Sequence, residues 1–264
     1  MNVFAWNGTS YTRRPSNFGE DGGRISFSPS SDGTFIAVGY RDHMVGVGRA
    51  CVYAWTGSAY KSHGNCIGGR VSFGYLGWLV ELSDDGAVLA VARKGGVRVY
   101  SWNGVNYVQR GVDFISGENA NDDIGVGISF SGNGDVLALG APLNDVSGAD
   151  SGKVYVYSWI NGTYAKRGAD INGTAKNDKF GMSVDLSIDG NILAVGSPGK
   201  GGSNTGCVRV YSWDGINYIP RSNDTLDGEI PGDNYGDSIA LSSDGKILAV
   251  GAWGNKAGRV FVYK

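Results

Sequence analysis

The sequence predicts an all-β protein built from five repeated antiparallel units, and three observations lead to this prediction. A Val-aromatic-x-Trp cluster recurs five times with its Trp residues 47 to 57 positions apart, and a Tyr stands five residues after each Trp. Each period also carries an Asp-Gly or Asn-Gly pair followed by an apolar run, the strongest short-range signal for a β-hairpin. Finally, 45 of the 264 residues are Gly without collagen periodicity, which indicates many tight turns between short strands.

Each period is predicted to form four strands. The first precedes the Asp-Gly turn, the second is the apolar run after it, the third ends at the repeat Trp, and the fourth begins near the Tyr. A four-stranded antiparallel meander repeated at about 50 residues is the pattern of a β-propeller blade. The predicted fold is therefore one β-propeller domain over residues 1–264 with five blades. The blade-like units lie near 15–62, 70–114, 122–171, 178–225 and 233–264.

The third strand is apolar on both faces, so it needs cover on both sides. In the segment 154–159, two Val and a Ser point one way while two Tyr and a Trp point the other. Neighbouring blades would supply this cover and bury the five repeat Trp residues, at about 5 kcal/mol each. Each Trp and the following Tyr should be cross-strand neighbours. The side chain three residues after each Tyr is expected to stack on a ring or hold a loop carbonyl; these side chains are Arg14, His63, Arg110, Arg167 and Arg221.

The two ends of the chain predict how the propeller closes. The chain begins with copies of a third and a fourth strand and ends on a third strand. We expect residues 1–14 to complete the last blade by pairing of the N- and C-terminal strands, which would leave no open sheet edge. One third strand is then surplus. It would add to the outer edge of that blade, or the chain would be a segment of a longer array.

Composition excludes several classes of partner. The net charge is −2, from 23 Lys+Arg and 25 Asp+Glu, so no nucleic-acid partner is expected. No stretch approaches the roughly 18 apolar residues of a membrane span. No signal peptide is expected within this sequence, because Met1 leads directly into a strand-like segment. Three Cys leave at least one unpaired, so no disulfide framework is implied. Cys51 and Cys207 are expected to be free and buried in strands.

Short motifs in the later units point to a family. A Phe-Gly element stands at Phe180-Gly181 and, as Tyr-Gly, at 235–236; a Gly-Ala-Pro element stands at 140–142 and, as Gly-Ser-Pro, at 196–198. A Gly-x-Val-x-Val-Tyr strand follows at 152–157, 206–211 and 258–263. These units resemble FG-GAP repeats, the blades of the integrin α-subunit propeller and of many microbial and algal surface proteins. The resemblance covers the whole chain, although the first two units carry its weaker parts. It implies an extracellular or surface-exposed scaffold for adhesion or protein binding.

The resemblance also raises the question of calcium. FG-GAP blades often hold Ca²⁺ in an Asp-x-Asp-x-Asp-Gly-x-x-Asp loop. The nearest match here is 185–193, but its last ligand position is the apolar Leu193, and its residues are typical of a tight hairpin. Because Ca²⁺ needs about six to eight oxygen ligands, no metal or other cofactor is expected. The acidic residues three before each motif Gly are interpreted as caps of loop amides; they are Asp122, Asp178 and Asp233.

The function predicted from these features is a non-enzymatic binding or structural module, because loops on a rigid scaffold carry binding in such folds. Tyr40, Trp78 and Trp253 lie outside the repeated cluster and are the candidate ligand-binding residues; no catalytic residue is assigned. One alternative is a carbohydrate-binding lectin, since aromatic faces stack on sugars. A second is a glycan-active enzyme whose two carboxylates, for example Glu81 and Asp185, come from separate blades.

Overall fold

The computed structural model describes residues 2–16, 18, 23–69, 74–111, 114–254 and 258–264, with only the backbone described at 222–224. The N-terminal hairpin consists of β1 (Val3–Trp6) and β2 (Tyr11–Arg14). Blade 1 consists of β3 (Ile25–Pro29), β4 (Phe35–Tyr40), β5 (Arg49–Trp55), β6 (Tyr60–Ser62) and β7 (Ile67–Gly68). Blade 2 consists of β8 (Val80–Leu82), β9 (Val88–Arg93), β10 (Gly96–Trp102), β11 (Tyr107–Gln109) and β12 (Ile115–Ser116).

The remaining three blades follow in chain order. Blade 3 consists of β13 (Gly127–Phe130), β14 (Val136–Ala141), β15 (Lys153–Ile160), β16 (Thr163–Lys166) and β17 (Ile171–Asn172). Blade 4 consists of β18 (Ser183–Leu186), β19 (Ile192–Ser197), β20 (Cys207–Trp213) and β21 (Tyr218–Asp227). Blade 5 consists of β22 (Ser238–Leu241), β23 (Leu248–Ala252) and β24 (Arg259–Tyr263). Two short helical turns interrupt the strands, α1 (His43–Gly46) and a π-type turn at Lys200–Asn204.

The prediction of an all-β propeller with five antiparallel blades is confirmed, with one refinement in strand number. Within the described ranges, blades 1 to 3 have five strands each, blade 4 has four, and blade 5 has three. The additional strands β7, β12 and β17 are two residues long and pair with the start of the third strand of their own blade. Among the described residues, β1 pairs with β2 and β24 pairs with β23, so the predicted pairing between the terminal strands is not confirmed.

The chain divides into two compact units, Met1–Lys94 with Arg98–Arg110, and Gly95–Val97 with Gly111–Lys264. In the first unit, blades 1 and 2 share an apolar core that includes Ala37, Val52 and Leu89. In the second unit, blades 3 and 4 share a core around Val154 and Phe180, and a further cluster joins blades 4 and 5; it contains Val208, Tyr235 and Val250. In blade 4, neighbouring sheets therefore cover the apolar third strand on both faces, as its sequence requires. In blade 5, Val260 and Val262 of the third strand are exposed.

The Phe-Gly and Gly-Ala-Pro motifs lock adjacent blades together. Gly140, at the end of the second strand of blade 3, lies so close to Gly181 of blade 4 that an added Cβ would stand 1.8 Å from the Gly181 carbonyl oxygen. Phe180 is fully buried, and it forms a parallel bridge with Gly152 of blade 3. The same approach recurs between Gly196 and the Gly236 carbonyl. The motif is therefore explained by packing, because no side chain fits between the two backbones.

The repeat Tyr closes the opposite end of each complete blade. Its hydroxyl donates to the carbonyl of the Gly in the hairpin turn between the first two strands, as in Tyr164 to Gly134 at 2.6 Å and Tyr218 to Gly190 at 2.5 Å. The Tyr also pairs across strands with the repeat Trp, as predicted, with ring centroids 5.0 Å apart for Trp159 and Tyr164. Burial raises the pKa of Tyr218 to about 12.

The repeat Trp rings are covered by basic side chains of the preceding repeat. The guanidinium of Arg14 lies 4.8 Å from the Trp55 ring, and that of Arg167 lies 4.3 Å from the Trp213 ring. His63 stacks on Trp102 at 3.8 Å, and burial lowers the pKa of this imidazole. The predicted stacking of the basic side chain is confirmed for these pairs.

Full burial of the repeat Trp residues is not confirmed. Trp55, Trp102, Trp159 and Trp213 are half-buried, while Trp6 is 58% exposed. The reason is their place at the end of the third strand, where the sheet meets solvent, whereas the earlier positions of that strand lie between blades.

A side chain on the first strand carries a second contact between blades. Ser129 of blade 3 accepts a hydrogen bond from the Leu186 backbone N–H of blade 4 at 3.0 Å. Asp185 occupies the same position in blade 4; it accepts from the Leu241 N–H of blade 5 at 2.6 Å and from the Ser129 hydroxyl at 3.0 Å. Burial is the largest influence on this carboxyl and raises its pKa above the usual range, although these hydrogen bonds oppose the shift.

The expectation of a free Cys51 is wrong, because Cys51 forms a disulfide with Cys66. Cys51 lies in β5, and Cys66 stands directly before β7, which returns to pair with the start of β5. The sequence did not predict β7, so nothing in it placed the two Cys side by side. Cys207 is free and buried, as predicted.

Candidate binding surface

Each blade has two unlike edges, and the connections differ in length from blade to blade at only one of them. At one edge lie the tight turns between strands one and two and between strands three and four. At the other edge lie the connections between strands two and three and the connections that lead into the next blade. We call this second edge the long-loop edge. The long connections between strands two and three are 41–48, 142–152 and 198–206. Tyr40 and Trp78 lie at the long-loop edges of blades 1 and 2, and Trp253 lies at the long-loop edge of blade 5.

The base of each long loop is held by backbone hydrogen bonds to the next blade of the same unit. In the loop 41–48, the carbonyls of Gly46 and Val47 accept from the N–H groups of Tyr75 and Leu76 at 2.8 and 3.3 Å. The loop 142–152 makes three such bonds to the segment 177–180, and 198–206 makes similar bonds to 232–235. The loops are therefore anchored at their bases and vary only beyond these bonds, as binding loops on a scaffold do.

The tip of the loop 41–48 is apolar, exposed and strained. Met44 is 70% exposed and Val45 is 76% exposed. Both adopt positive φ, 49° and 57°, a region that a β-branched residue such as Val rarely enters. Two apolar side chains held in solvent by an unfavourable backbone are a feature that packing does not explain. Strain of this kind is concentrated at functional sites.

A clamp of two rings fixes the start of this loop. The Arg41 guanidinium lies 4.2 Å from the Trp78 ring and 5.0 Å from the Tyr75 ring, and its Nε is 3.7 Å from the Asp42 carboxylate. Asp42 in turn accepts the Arg24 backbone N–H at 3.0 Å. Trp78 is half-buried under Arg41, so it positions the loop and presents little free surface. The clamp was missed in the sequence because its members are 34 to 37 residues apart in the chain.

The other two candidate residues differ in exposure. Tyr40 is buried, with its hydroxyl 2.9 Å from that of Tyr53 and its ring 4.7 Å from the Arg49 guanidinium. It is a packing residue in this structure. Trp253 follows β23 and is 65% exposed, which makes it the most accessible of the three. Tyr40 and Trp78 belong to the first unit and Trp253 to the second.

Blade 3 carries a charged cluster at its long-loop edge. The Lys153 ammonium lies 2.6 Å from Glu118, although the Lys side chain is only 5% exposed. Hydrogen bonds from Lys153 and then Asn144 hold the pKa of Glu118 below its usual range. Asn144 also donates to Asp122 at 2.7 Å. Each charge in the cluster has a partner of opposite charge or a hydrogen bond, so the cluster orders the loop.

The interpretation of the acidic loop residues as caps is confirmed for two of the three. Asp122 accepts the Asn119 N–H at 3.2 Å, and Asp178 accepts the Ala175 N–H at 3.0 Å and the hydroxyl of Thr174. Asp233 is buried, and no hydrogen bond to its Oδ1 is found in the part of the chain that the structure describes.

The segment that most resembles a calcium loop is folded as strand and turn. Asp185 lies in β18, and Asp189 lies in the following turn, where it accepts from the Ser187 hydroxyl at 2.6 Å and the Asn191 N–H at 2.9 Å. The two carboxylates are therefore engaged with different partners. Across the described ranges, no group of three or more His, Cys, Asp or Glu side chains is arranged to hold a metal ion. Within the same ranges, no helix is long and apolar enough to cross a bilayer.

Comparison with known proteins agrees with this geometry. No family model matches the chain. Integrin alpha-11 of Mus musculus is 34% identical over 140 residues, which is 46% of this chain and 11% of the integrin. Among solved structures, TolB from Acinetobacter baumannii superposes with a TM-score of 0.53 at 14% identity, covering 91% of this chain and 51% of that chain. The resemblance to FG-GAP-type propellers is confirmed.

The two comparisons carry different weight. The integrin likeness is one of sequence, whereas the TolB likeness shows the propeller fold alone. The chain spans about 11% of the integrin and about half of the TolB chain.

Proposed function

We propose that this FG-GAP-type propeller is a non-enzymatic module that binds a protein partner through the long-loop edge. The observation that carries the proposal is the loop 41–48, whose apolar tip is exposed at Met44 and Val45 while its base is fixed by hydrogen bonds and by Arg41. A rigid base lowers the ordering cost of binding, and an exposed apolar tip gains free energy when a partner covers it. The integrin-like repeats support a protein partner over a small molecule.

We further propose that the protein works in an extracellular or cell-surface setting, as an adhesion or interaction scaffold. The Cys51–Cys66 disulfide supports this setting, because disulfides persist in oxidising compartments and are rare in the cytosol. The near-balanced charge fits recognition by shape and apolar contact more than recognition by charge.

The test is a binding comparison between the loop and a matched turn. The labelled chain is applied to an array of purified extracellular-domain proteins and to a glycan array, beside the variant M44S/V45T. The control variant is V105S, because Val105 is 68% exposed but lies in the turn between β10 and β11 at the other edge. We expect protein ligands whose affinity falls at least about tenfold in M44S/V45T, and no loss in V105S, since each exposed apolar contact contributes about 1 kcal/mol.

Two results would contradict this function. Protein binding that survives M44S/V45T unchanged would remove the loop from the interface. Binding only to glycans, competed by one free sugar, would favour the lectin alternative.

A further inference from the structure

We propose that the loop 41–48 binds an acidic segment of its protein partner, in which Asp and Glu side chains flank an apolar side chain. The apolar tip of the loop contacts the partner's apolar side chain, and the cations beside the tip attract its carboxylates. This inference rests on the proposed function, because it names the chemistry of the partner at the same loop. All the residues that carry it belong to the first compact unit.

The near-balanced charge of the whole chain is the sum of opposite charges in its two units. The first unit carries 11 Lys and Arg against 7 Asp and Glu, which is a net charge of +4. The second unit carries 12 Lys and Arg against 18 Asp and Glu, which is a net charge of −6. Because a surface of one sign attracts partners of the opposite sign, the loop 41–48 belongs to the unit that attracts acidic partners.

Few carboxylates of the first unit lie near this loop. Three of its acidic residues lie in the hairpin turns at the opposite edge of the blades; they are Asp32, Asp84 and Asp85. In the described connections at the long-loop edge of this unit, Asp42 is the one carboxylate. It accepts the Arg24 backbone N–H at 3.0 Å and lies 3.7 Å from the Arg41 Nε. The positive charge at this edge is therefore only partly offset.

Three cations lie on adjoining segments at the base of the loop. Arg24 and Lys94 are exposed, and among the described residues neither side chain pairs with a carboxylate. The Arg24 carbonyl accepts the Arg41 backbone N–H at 3.3 Å, which joins these two residues. The Lys94 N–H donates to the Gly74 carbonyl at 3.0 Å, directly before the Tyr75 ring that Arg41 covers. The cations are therefore held as one group by hydrogen bonds and stacking.

The apolar tip of the loop lies against the same group. Gly46 directly follows the exposed Met44 and Val45, and a Cβ added to Gly46 would stand 2.8 Å from the Tyr75 ring. Exposed apolar side chains and exposed cations are thus brought together on one short stretch of surface. In such an interface the apolar contact supplies the affinity, whereas the charges at its rim set the orientation and the association rate.

The apolar tip decides between an acidic protein segment and other anionic polymers. A sulfated glycan or a nucleic acid would also meet the cations, but its outward-facing charges would leave Met44 and Val45 without an aliphatic contact. An acidic segment with a Leu, Ile or Phe among its carboxylates covers both parts of the surface. The combination of charge and apolar area therefore favours a protein segment.

The test measures the binding of defined probes to the full chain by the ¹³C NMR resonance of the Met44 methyl group, identified as the one missing from M44L. The probes are a short peptide with a central Leu flanked by Asp and Glu, the same peptide with Asn and Gln in their place, a heparin oligosaccharide and a DNA duplex. We expect the acidic peptide to shift the resonance and to bind at least about tenfold more tightly than the amide peptide, since each exposed ion pair contributes up to about fivefold. At about 1 M salt, where the screening length is about 3 Å, most of this difference should disappear.

Charge variants separate the local cations from the net charge of the unit. R24E/K94E should weaken binding of the acidic peptide at least about tenfold, whereas R24K/K94R, which keeps both charges, should bind like wild type. The matched control is R13E/K61E, which changes the net charge equally but alters exposed cations in β2 and β6; it should bind nearly as wild type does. Melting curves followed by circular dichroism check that each variant is folded.

Several results would overturn the proposal. They are equal affinity for the acidic and amide peptides, equal losses in R24E/K94E and R13E/K61E, a preference for heparin or DNA over the acidic peptide, and no shift of the Met44 resonance with any probe. The binding arrays distinguish this failure from that of the proposed function. A protein ligand whose affinity falls in M44S/V45T but is indifferent to salt and to R24E/K94E would leave the proposed function standing and overturn only this inference.

Discussion

Replacing Gly140 by Ala should destabilise the propeller although it adds only one methyl group. Gly140 is the last residue but one of β14 and lies in extended conformation, so Ala suits its backbone and would otherwise stabilise by about 0.4–1 kcal/mol through the unfolded chain. The new Cβ, however, would lie 1.8 Å from the Gly181 oxygen and 2.7 Å from its carbonyl carbon. No rotamer change relieves a clash with backbone, so blades 3 and 4 must separate. Overpacking typically costs about 1–3 kcal/mol, and we expect a net loss of about 2 kcal/mol.

The assay is urea unfolding followed by circular dichroism, with wild type, G140A and a matched control. Gly68→Ala is the control, because Gly68 also lies in a strand but has no atom within 4 Å of an added Cβ. G140A should shift the midpoint down with an unchanged m-value and lower Tm by about 4–8 °C, while G68A should be neutral or slightly stabilising. Equal stability of the two variants would refute the idea that the motif Gly locks the blades.

Three further predictions concern other contacts. Y218F should lose about 1 kcal/mol in urea unfolding, because the buried Gly190 carbonyl loses its donor; no loss would mean that water replaces the hydroxyl. Burial raises the pKa of Asp185, so its ionised form is disfavoured in the fold. Wild type should therefore gain stability relative to D185N as pH falls from 7 through that raised pKa to about 3.9, the unfolded value; a difference independent of pH would contradict the burial argument. C66S should lower stability by about 3 kcal/mol, since the Cys51–Cys66 link closes a 15-residue separation; wild type in reductant should match C66S.

The repeat made the architecture predictable, because the motifs that define each blade involve residues close together in the sequence. The Asp-Gly turns fix the hairpins by backbone conformation, and the spacing of five residues from Trp159 to Tyr164 fixes a four-residue turn and hence their pairing. The recurring basic side chain was predicted to stack on a ring or to hold a loop carbonyl, and Arg167 stacks on Trp213. The hairpin turns and the Trp–Tyr pairing each depend on residues within one period.

The features that the sequence did not reveal depend on chain segments that meet only after folding. The disulfide needs β7 to return to β5, and two residues of strand carry no pattern that would predict it. The role of Trp78 depends on Arg41, which belongs to the preceding blade. Tyr40 was chosen as a ligand-binding candidate because it stands outside the repeat, but its burial depends on Tyr53 across the sheet and on Arg49. Exposure of Trp253, in contrast, agrees with its place in a loop.

The most direct test of partner binding through the long-loop edge is hydrogen–deuterium exchange with and without a protein ligand taken from the arrays. We predict that the ligand slows exchange in peptides covering 41–48 and leaves the turn peptides at 84–87 and 103–106 unchanged. Protection confined to those turns, with none at the long loops, would contradict the account.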